Sequence, residues 1–564
     1  MENKEYMLID GNPVEINGEK NLLEVIRKAG IELPTFCYHS ELSVYGACRM
    51  CMVENSHGGM EAACSTVPKA GMEIYTNTER LHKHRKMILE LLLANHCRDC
   101  TTCQKNGKCR LQELASLFGL ESIRFKNLKP EPELDTSSLS IIRDAHKCIL
   151  CGDCVRMCNE IQNVGAIDFV NRGSKMVIGP AFNEPIANSP CVGCGQCAAV
   201  CPTGAIVIRK DTGRVWPELN DKNTKVVAQV APAVRVAMAK EFGLPENENS
   251  MGRITAALRR LGFDEVYDTA TGADLTVLEE SNEFLQRIEA GENLPLITSC
   301  CPAWIQYCEK NHPELMKNIS TCKSPMQMFS SVIKAKYATS SRRVVCVAVM
   351  PCTAKKFECA REEFMHDGVP ETDYVITTQE LIQMIHKAGI VFDELEPEAV
   401  DSVFSTCTGA GVIFGVTGGV TEAVLRRLST DKSNKALMSI AFNDVRGMKG
   451  VKETTIPYGD KEVRIAIVSG LKNAESVIQA LKNGEHYDFI EVMACPGGCV
   501  AGGGQPFGTN ATKEVRGKAL YSADKMLSIK RSEENPLMLS LYDGVLKGRV
   551  HELLHVHYNH KEEE

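Results

Sequence analysis

Apolar and polar positions along the chain change their period twice. Near the start, "EYMLIDGNPVEI" alternates on either side of an Asp-Gly pair, which predicts a β-hairpin, and "NLLEVIRKAG" follows with a helical stripe. A second helical stripe, "RKMILELLLAN", precedes a long stretch with few apolar runs. From about residue 211 the pattern becomes short apolar runs alternating with helical segments: "VVAQVAP", "RRVVCVAVMPC", "EVRIAIVSG" and "DFIEVMACPGGC" read as buried strands, and "VLEESNEFLQRIEAG", "TEAVLRRL" and "ESVIQALKNG" as helices. Strands buried on both faces and spaced by helices predict parallel sheets covered by helices, with functional loops leaving the carboxyl ends of the strands. The expected fold class is therefore α/β. A large domain of two lobes, with mostly parallel sheets flanked by helices, follows small α+β modules.

With 564 residues the chain is too long for one core. Its charged opening "MENKEYMLID" lacks the apolar run of a secretion signal, and the longest apolar runs are too short to span a bilayer, so a cytoplasmic protein with no membrane partner is expected. A net charge of -8 argues against nucleic acid as a partner. The basic run Arg80 to Lys86, "RLHKHRK", reads as a solvated helix face.

Cysteine changes this picture. There are 26, sixteen of them before residue 202, then none until residue 300. Cytosolic thiols stay reduced, so metal ligation rather than disulfide bonding is the expected use. "CILCGDCVRMC" and "CVGCGQCAAVCP" are consecutive C-x2-C-x2-C-x3-C runs, in which each fourth cysteine ligates the other cluster. Cys148, Cys151, Cys154 and Cys201 are thus expected to hold one 4Fe-4S cluster, and Cys191, Cys194, Cys197 and Cys158 a second. "NHCRDCTTCQKNGKC" spaces His96, Cys100, Cys103 and Cys109 for a third, with Cys97 left over; a neutral imidazole in place of one thiolate makes such a cluster less negative and raises its potential. Cys37, Cys48, Cys51 and Cys64 form the first block, with long gaps around one C-x2-C. A structural zinc site is its alternative reading, although zinc usually pairs two short knuckles.

In the last three hundred residues, "TSCCPAW", "MPCTAKKFE" and "EVMACPGGCVAGGGQPF" place cysteines at three strand ends. These motifs resemble the three signatures of the catalytic domain of FeFe hydrogenases. The four upstream blocks resemble that family's accessory modules, so the likeness covers nearly the whole chain. The first block also resembles the opening of the large peripheral subunit of respiratory complex I. The resemblance implies a 2Fe-2S ferredoxin-like domain over 1–78, a His/Cys3 4Fe-4S domain over 79–125, a two-cluster ferredoxin domain over 126–210 and a catalytic domain over 211–564. It further implies one 2Fe-2S cluster, three accessory 4Fe-4S clusters and an H-cluster. The last is a 4Fe-4S cube held by Cys301, Cys352, Cys495 and Cys499, with Cys499 bridging to a di-iron subcluster carrying carbon monoxide, cyanide and azadithiolate.

By the same resemblance the adjacent Cys300 and Cys301 divide their labour. Neighbours on an extended segment point to opposite sides, so Cys301 faces the cube and Cys300 the di-iron site, as a thiol with an unperturbed pKa of about 8.5 that exchanges protons. Glu280, Glu283 and Arg287 are spaced along one helical face and, with Ser320, correspond to the family's proton path. Lys355 is expected to donate to a cyanide nitrogen, supported by Glu358, and Met350, Met493, Phe414, Pro325 and the backbone of Pro232 and Ala233 to enclose the ligands. Ala233 stands where some relatives have serine, and Met326 where relatives can have glutamine. The remaining cysteines of the large domain, Cys308, Cys322, Cys346, Cys359 and Cys407, read as packing residues.

The implied activity is reversible oxidation of dihydrogen to protons and electrons, exchanged with ferredoxin or with a flavin- and NAD(P)-binding partner subunit after maturation enzymes have built the H-cluster. The proton/dihydrogen couple near about -0.4 V at pH 7 matches plant-type 2Fe-2S centres, so electrons can run either way. "GAGVIFG" has the wrong glycine spacing for a dinucleotide fingerprint, which places nicotinamide chemistry on a partner. Three other readings compete: the catalytic subunit of an electron-bifurcating or NAD(P)-linked complex, a slow dihydrogen sensor, and a non-catalytic electron conduit. The four thiols of the large domain count against the conduit, and the retained Cys300 and acidic residues against the sensor.

Overall fold

The computed structural model describes residues 5–128, 133–429, 445–458 and 461–558. They divide into two compact units. One takes residues up to Glu160 with Gly165–Ser189 and Val200–Val207; the other takes Ile161–Val164, Pro190–Ala199 and the residues from Ile208 on.

The first unit opens with the expected hairpin, β1 (Glu5–Ile9) and β2 (Asn12–Ile16), closed by the two-residue Asp10–Gly11 turn. Helix α1 (Leu22–Lys28) follows, its Asn21 cap accepting from the Glu24 N–H at 3.1 Å. Strands β3 (Met52–Asn55), β4 (Met60–Ala62) and β5 (Glu73–Tyr75) complete a sheet of order β2-β1-β5-β3-β4. Leu22, Leu23, Val25 and Ile26 of α1 pack into a core with Met7, Ile9, Val53 and Ile74 of the sheet. Helix α2 (Glu79–Ala94) is capped by Thr78 and followed by α3 (Arg110–Leu117). The basic run at the start of α2 is not wholly solvated, contrary to expectation. Arg85 is buried and donates to the carbonyls of Met50, Met52 and Thr76, which satisfies its guanidinium inside the unit.

The second unit is built on eight strands: β6 (Thr224–Val230), β7 (Glu265–Asp268), β8 (Leu296–Ile297), β9 (Arg343–Met350), β10 (Tyr374–Thr377), β11 (Val451–Tyr458), β12 (Lys461–Ser469) and β13 (Phe489–Met493). They form two sheets, of orders β7-β6-β9-β10 and β8-β13-β12-β11. The first is parallel throughout, and the second is parallel except for the β11–β12 edge hairpin. This is the expected pair of mostly parallel sheets. Val345 to Val349 of β9 are at most 1% exposed, as a strand covered on both faces requires.

Helix α4 (Ala270–Ala290) is buried from Ala270 to Ser281; beyond that Phe284 and Ile288 face inward while Glu283 and Arg287 reach toward the surface. One helix thus carries side chains from the interior to the edge of the unit. Helices α5 (Pro302–Asn311), α6 (Pro325–Lys336) and α7 (Ala354–Glu358) start just past the site loops; α5 and α6 each have proline in the first turn, where its missing N–H costs nothing. Helices α8 (Gly419–Leu428), α9 (Leu471–Lys482), α10 (Asn510–Met526) and α11 (Val550–Leu554) complete the elements used below. No helix among the described residues is long and apolar enough to cross a membrane.

Candidate functional site

Three loops at the carboxyl ends of parallel strands meet in the second unit. Past β8 come Cys300 and Cys301, past β9 comes Cys352, and past β13 come Cys495 and Cys499. All five line one cavity of about 90 Å³, together with Pro232, Ala233, Pro325, Met326, Met350, Lys355, Phe414 and Met493. Every residue expected to hold or enclose the cofactor is therefore brought to one place. Thr269, Ala273, Gly415 and Gly502 line it too; small and uncharged, they carry no signal in the sequence.

The loop "CPGGC" needs its glycines. Gly498 sits at φ +89°, and a Cβ there would lie 2.5 Å from the Thr417 nitrogen. At Gly503 a Cβ would meet the Cys194 carbonyl oxygen at 2.4 Å. That close approach brings the "CVGCGQC" segment against the catalytic loop, and Gln196 exploits it. Its Nε2 donates to Cys495 Sγ at 3.1 Å and to the Ala501 carbonyl at 2.9 Å, and the carbonyl can only accept, so the amide orientation is fixed. Nothing in the sequence pattern pointed to Gln196.

The donor set can be tested against an iron-sulfur cube. Cys301 and Cys495 are raised by burial, Cys352 is pushed up to about 11 by burial, and Cys499 is raised further, with neighbouring sulfurs adding to the effect at Cys495, Cys352 and Cys499. Converging buried thiols cannot all ionise beside one another without positive charge among them, and iron supplies it. Cys301 stands at the N-cap of the ten-residue α5, and its Sγ accepts from the Ala494 N–H at 3.4 Å. The residues fit the group.

Cys300 and Cys301 do face different sides. Cys301 packs with the core around Trp304 and Ile490, whereas Cys300 packs with Ala273, Val277, Phe414 and Met493. The expected unperturbed thiol is corrected, because burial, then the charge of Glu280, push the Cys300 pKa well above the ordinary value, so it is held as a neutral thiol. Lys355 is buried, its Nζ 2.7 Å from Glu358 Oε2 and donating to the Cys300 carbonyl at 3.2 Å.

Behind Cys300, Glu280 is fully buried and neither of its oxygens finds a partner at hydrogen-bonding geometry among the described residues. Burial and the neighbouring Glu283 push it up to about 8, offset in part by the Ser320 hydroxyl and the Ser299 backbone. Ser320 Oγ donates to Glu283 Oε2 at 2.9 Å, and Arg287 Nη2 binds Glu283 Oε1 at 2.6 Å. Ser320, Glu283 and Arg287 are thus joined by hydrogen bonds, and Glu280 is buried beside them without a hydrogen bond to the three. Cys322, read as a packing residue, is buried but also meets Glu283 Oε2 at 3.8 Å, because the strand-like segment from Ser320 to Lys323 turns it toward α4.

In the first unit, Cys148, Cys151, Cys154 and Cys201 line one small cavity of about 20 Å³ with Arg143 and Pro202. The Cys48 N–H donates to Cys37 Sγ at 3.3 Å; the neighbouring thiols Cys48 and Cys51 raise Cys37 and Cys64 respectively, while Cys48 is held down at about 6. Cys109 is raised by burial and by the nearby Cys103 and Cys100. His96 lies just past α2, largely buried, with its Nδ1 3.0 Å from the Arg98 backbone nitrogen. Cys158 belongs to this unit, whereas Cys191, Cys194 and Cys197 belong to the second, where Cys197, Cys495 and Cys191 contribute to raising the buried Cys194.

Comparison with known proteins agrees with this geometry. Residues 224–503 match the family of the iron only hydrogenase large subunit, C-terminal domain. Residues 6–79 match a 2Fe-2S iron-sulfur cluster binding domain, 85–124 the NADH-ubiquinone oxidoreductase-G iron-sulfur binding region, and 147–209 a 4Fe-4S dicluster domain. Residues 510–561 match the iron hydrogenase small subunit, a segment that the sequence pattern did not set apart. The NADP-reducing hydrogenase subunit HndD of Solidesulfovibrio fructosivorans is 41% identical over 98% of this chain and 98% of its own. Iron hydrogenase 1 of Clostridium pasteurianum is 35% identical over 98% of this chain and 99% of its own. A solved structure of HydA1 from Chlamydomonas reinhardtii superposes with a TM-score of 0.54 at 37% identity, covering 62% of this chain and 98% of that one. With such identity across nearly its whole length, and with its cluster domains and catalytic domain each matched, the chain belongs to the FeFe hydrogenases, oxidoreductases acting on dihydrogen.

Proposed function

We propose that Cys301, Cys352, Cys495 and Cys499 hold the 4Fe-4S cube of the H-cluster, that Cys499 also joins it to the di-iron subcluster lodged in the cavity, and that Cys300 passes protons between that subcluster and Glu280. The observation that carries this reading is the convergence of five cysteines on one cavity whose single charged side chain is Lys355. When bound, the cluster supplies the site at which dihydrogen is polarised and split and its electrons are taken up. The protein's own residues do the rest. Lys355 offers a charge-assisted donor to a cyanide nitrogen, and Met350, Met493, Phe414, Pro325, Pro232 and Ala233 exclude water. A proton from the neutral Cys300 thiol passes to Glu280, through Ser320, to Glu283, which Arg287 holds in place.

Electrons travel through accessory clusters on the cysteine blocks: a 2Fe-2S cluster on Cys37, Cys48, Cys51 and Cys64, and 4Fe-4S clusters on His96 with Cys100, Cys103 and Cys109, on Cys148, Cys151, Cys154 and Cys201, and on Cys191, Cys194, Cys197 and Cys158. The domain division is 1–78, 79–125, 126–210 and 211–564, the last closing with a segment resembling the iron hydrogenase small subunit. The physiological electron partner is a flavin- and NAD(P)-binding subunit, a reading supported by the relative described as an NADP-reducing hydrogenase subunit; ferredoxin is the other acceptor. The enzyme works in the cytoplasm after maturation enzymes insert the di-iron subcluster. Native purification followed by assay of hydrogen-dependent NAD(P) reduction tests the partner: a co-purifying flavoprotein supports it, and a chain that reduces only ferredoxin rejects it.

A further inference from the structure

In the proposed relay a proton reaches Glu283, and from there it must cross to solvent. Arg287 does not carry it. A guanidinium has no accessible neutral form, and this one is committed to Glu283 and to the carbonyls of Asn293, Asn318 and Ile319. The other partners of Glu283 are the inward Ser320, the Thr321 N–H, the buried Cys322 thiol and the Thr321 hydroxyl, 3.2 Å from Glu283 Oε2. That hydroxyl also lies 2.8 Å from His555 Nδ1. Among the described residues it is the one rotatable group joining Glu283 to a histidine ring, whose two nitrogens can take up a proton on one side and release one on the other.

The C-terminal segment is built to put His555 there. After α11 the chain runs antiparallel to the loop that bears Ser320: Val556 N–H donates to the Thr321 carbonyl at 2.7 Å and Lys323 N–H to the Leu554 carbonyl at 2.8 Å, which sets His555 opposite Cys322. The far side of the ring is held as well. His555 Nε2 lies 3.1 Å from Glu279 Oε2, and Glu279 also accepts from Tyr542. The exposed His551 ring packs on His555 at 4.7 Å between centroids.

We propose that His555 is the proton port of this enzyme: protons enter and leave the relay from Glu283 through the Thr321 hydroxyl to His555, with the exposed His551 at the solvent side and the buried Glu279 against Nε2. The step balances. As Glu283 gives its proton to Thr321 Oγ, Thr321 releases its own to His555 Nδ1; the protonated ring releases its Nε2 proton to solvent, and return of the ring to the Nε2–H tautomer together with rotation of the hydroxyl resets the path. Glu279 carries the compensating negative charge, and Arg287 positions Glu283. This gives the small-subunit-like segment a role in proton traffic, and it rests on Glu283 being in the relay.

The test uses the matured holoenzyme. His555→Ala and the near-isosteric Thr321→Val are each expected to lose about 10- to 100-fold in turnover, while the infrared carbonyl and cyanide bands keep their positions and intensities. Free imidazole should restore His555→Ala turnover saturably and leave Thr321→Val unrescued. Wild-type turnover in either variant overturns the port, as does a loss in His555→Ala that imidazole does not reverse. If His555→Ala fails to load its clusters, Thr321→Val together with His555→Gln decides, since both keep the side-chain volume. Glu283→Gln separates the two readings: full turnover there rejects the relay itself, whereas its inactivation beside a fully active His555→Gln rejects only the port.

Discussion

The side-chain amide of Gln196 donates to Cys495 Sγ at 3.1 Å, joining a residue between Cys194 and Cys197 to a thiol that lines the cavity. A hydrogen bond to a thiolate ligand stabilises the more negative, reduced cluster, so it raises the potential. Gln196→Met keeps the length and removes both donors. The one-electron reduction equilibrium of the catalytic cube is expected to fall by about tenfold, or about 59 mV. Infrared spectroelectrochemistry reads this as a shift in the potential at which the carbonyl bands move; an unmoved potential rejects the tuning role.

Glu280 makes stability depend on pH with a definite sign. Its folded pKa of about 8 lies above the ordinary 4.5, so the folded state holds this proton longer than the unfolded chain. No cost exists below about pH 4.5; stability then falls as pH rises toward 8 and the buried carboxyl is forced to ionise. Glu280→Gln should match the parent in unfolding free energy near pH 4.5 and exceed it near pH 8.5 by up to a few kcal/mol, while its turnover is lost. An unchanged difference between the two pH values contradicts the buried, protonated acid.

Removing Lys355 should act on folding and on the cofactor separately. Lys355→Met leaves Glu358, 2% exposed, as an uncompensated buried charge, at a cost of about 3–5 kcal/mol. Adding Glu358→Gln should recover most of that stability. Thermal melts of both variants check it. The double variant should still show weakened or shifted cyanide bands, since no cation faces the cavity; restored wild-type bands reject the donor role.

What the sequence made legible was what spacing along the chain controls. The thiols of a C-x2-C-x2-C run meet because they are neighbours on one loop, and the apolar runs of β6 and β9 can only be buried in a covered sheet. The motif cysteines of the large domain were assigned by resemblance, and the strand ends then brought them together. What stayed illegible depends on pairing across long separations. Gln196 meets Cys495 only because Gly503 admits the Cys194 carbonyl. His555 reaches Thr321 only through pairing of the C-terminal segment with a loop 234 residues away. Arg85 and Cys300 were misjudged for the same reason, because burial and the charges around a side chain come from distant parts of the chain.

The central claim is that protons and electrons leave one cavity by separate routes, protons through Cys300 and electrons through the cube held by Cys301, Cys352, Cys495 and Cys499. Infrared spectroscopy under dihydrogen, combined with turnover on the same matured samples of the parent chain and Cys300→Ala, tests it most directly. The account predicts iron-bound carbonyl and cyanide bands in both proteins, with turnover down about 10²- to 10⁴-fold in the variant. Absence of those bands from the matured parent, or full turnover in Cys300→Ala, would contradict it.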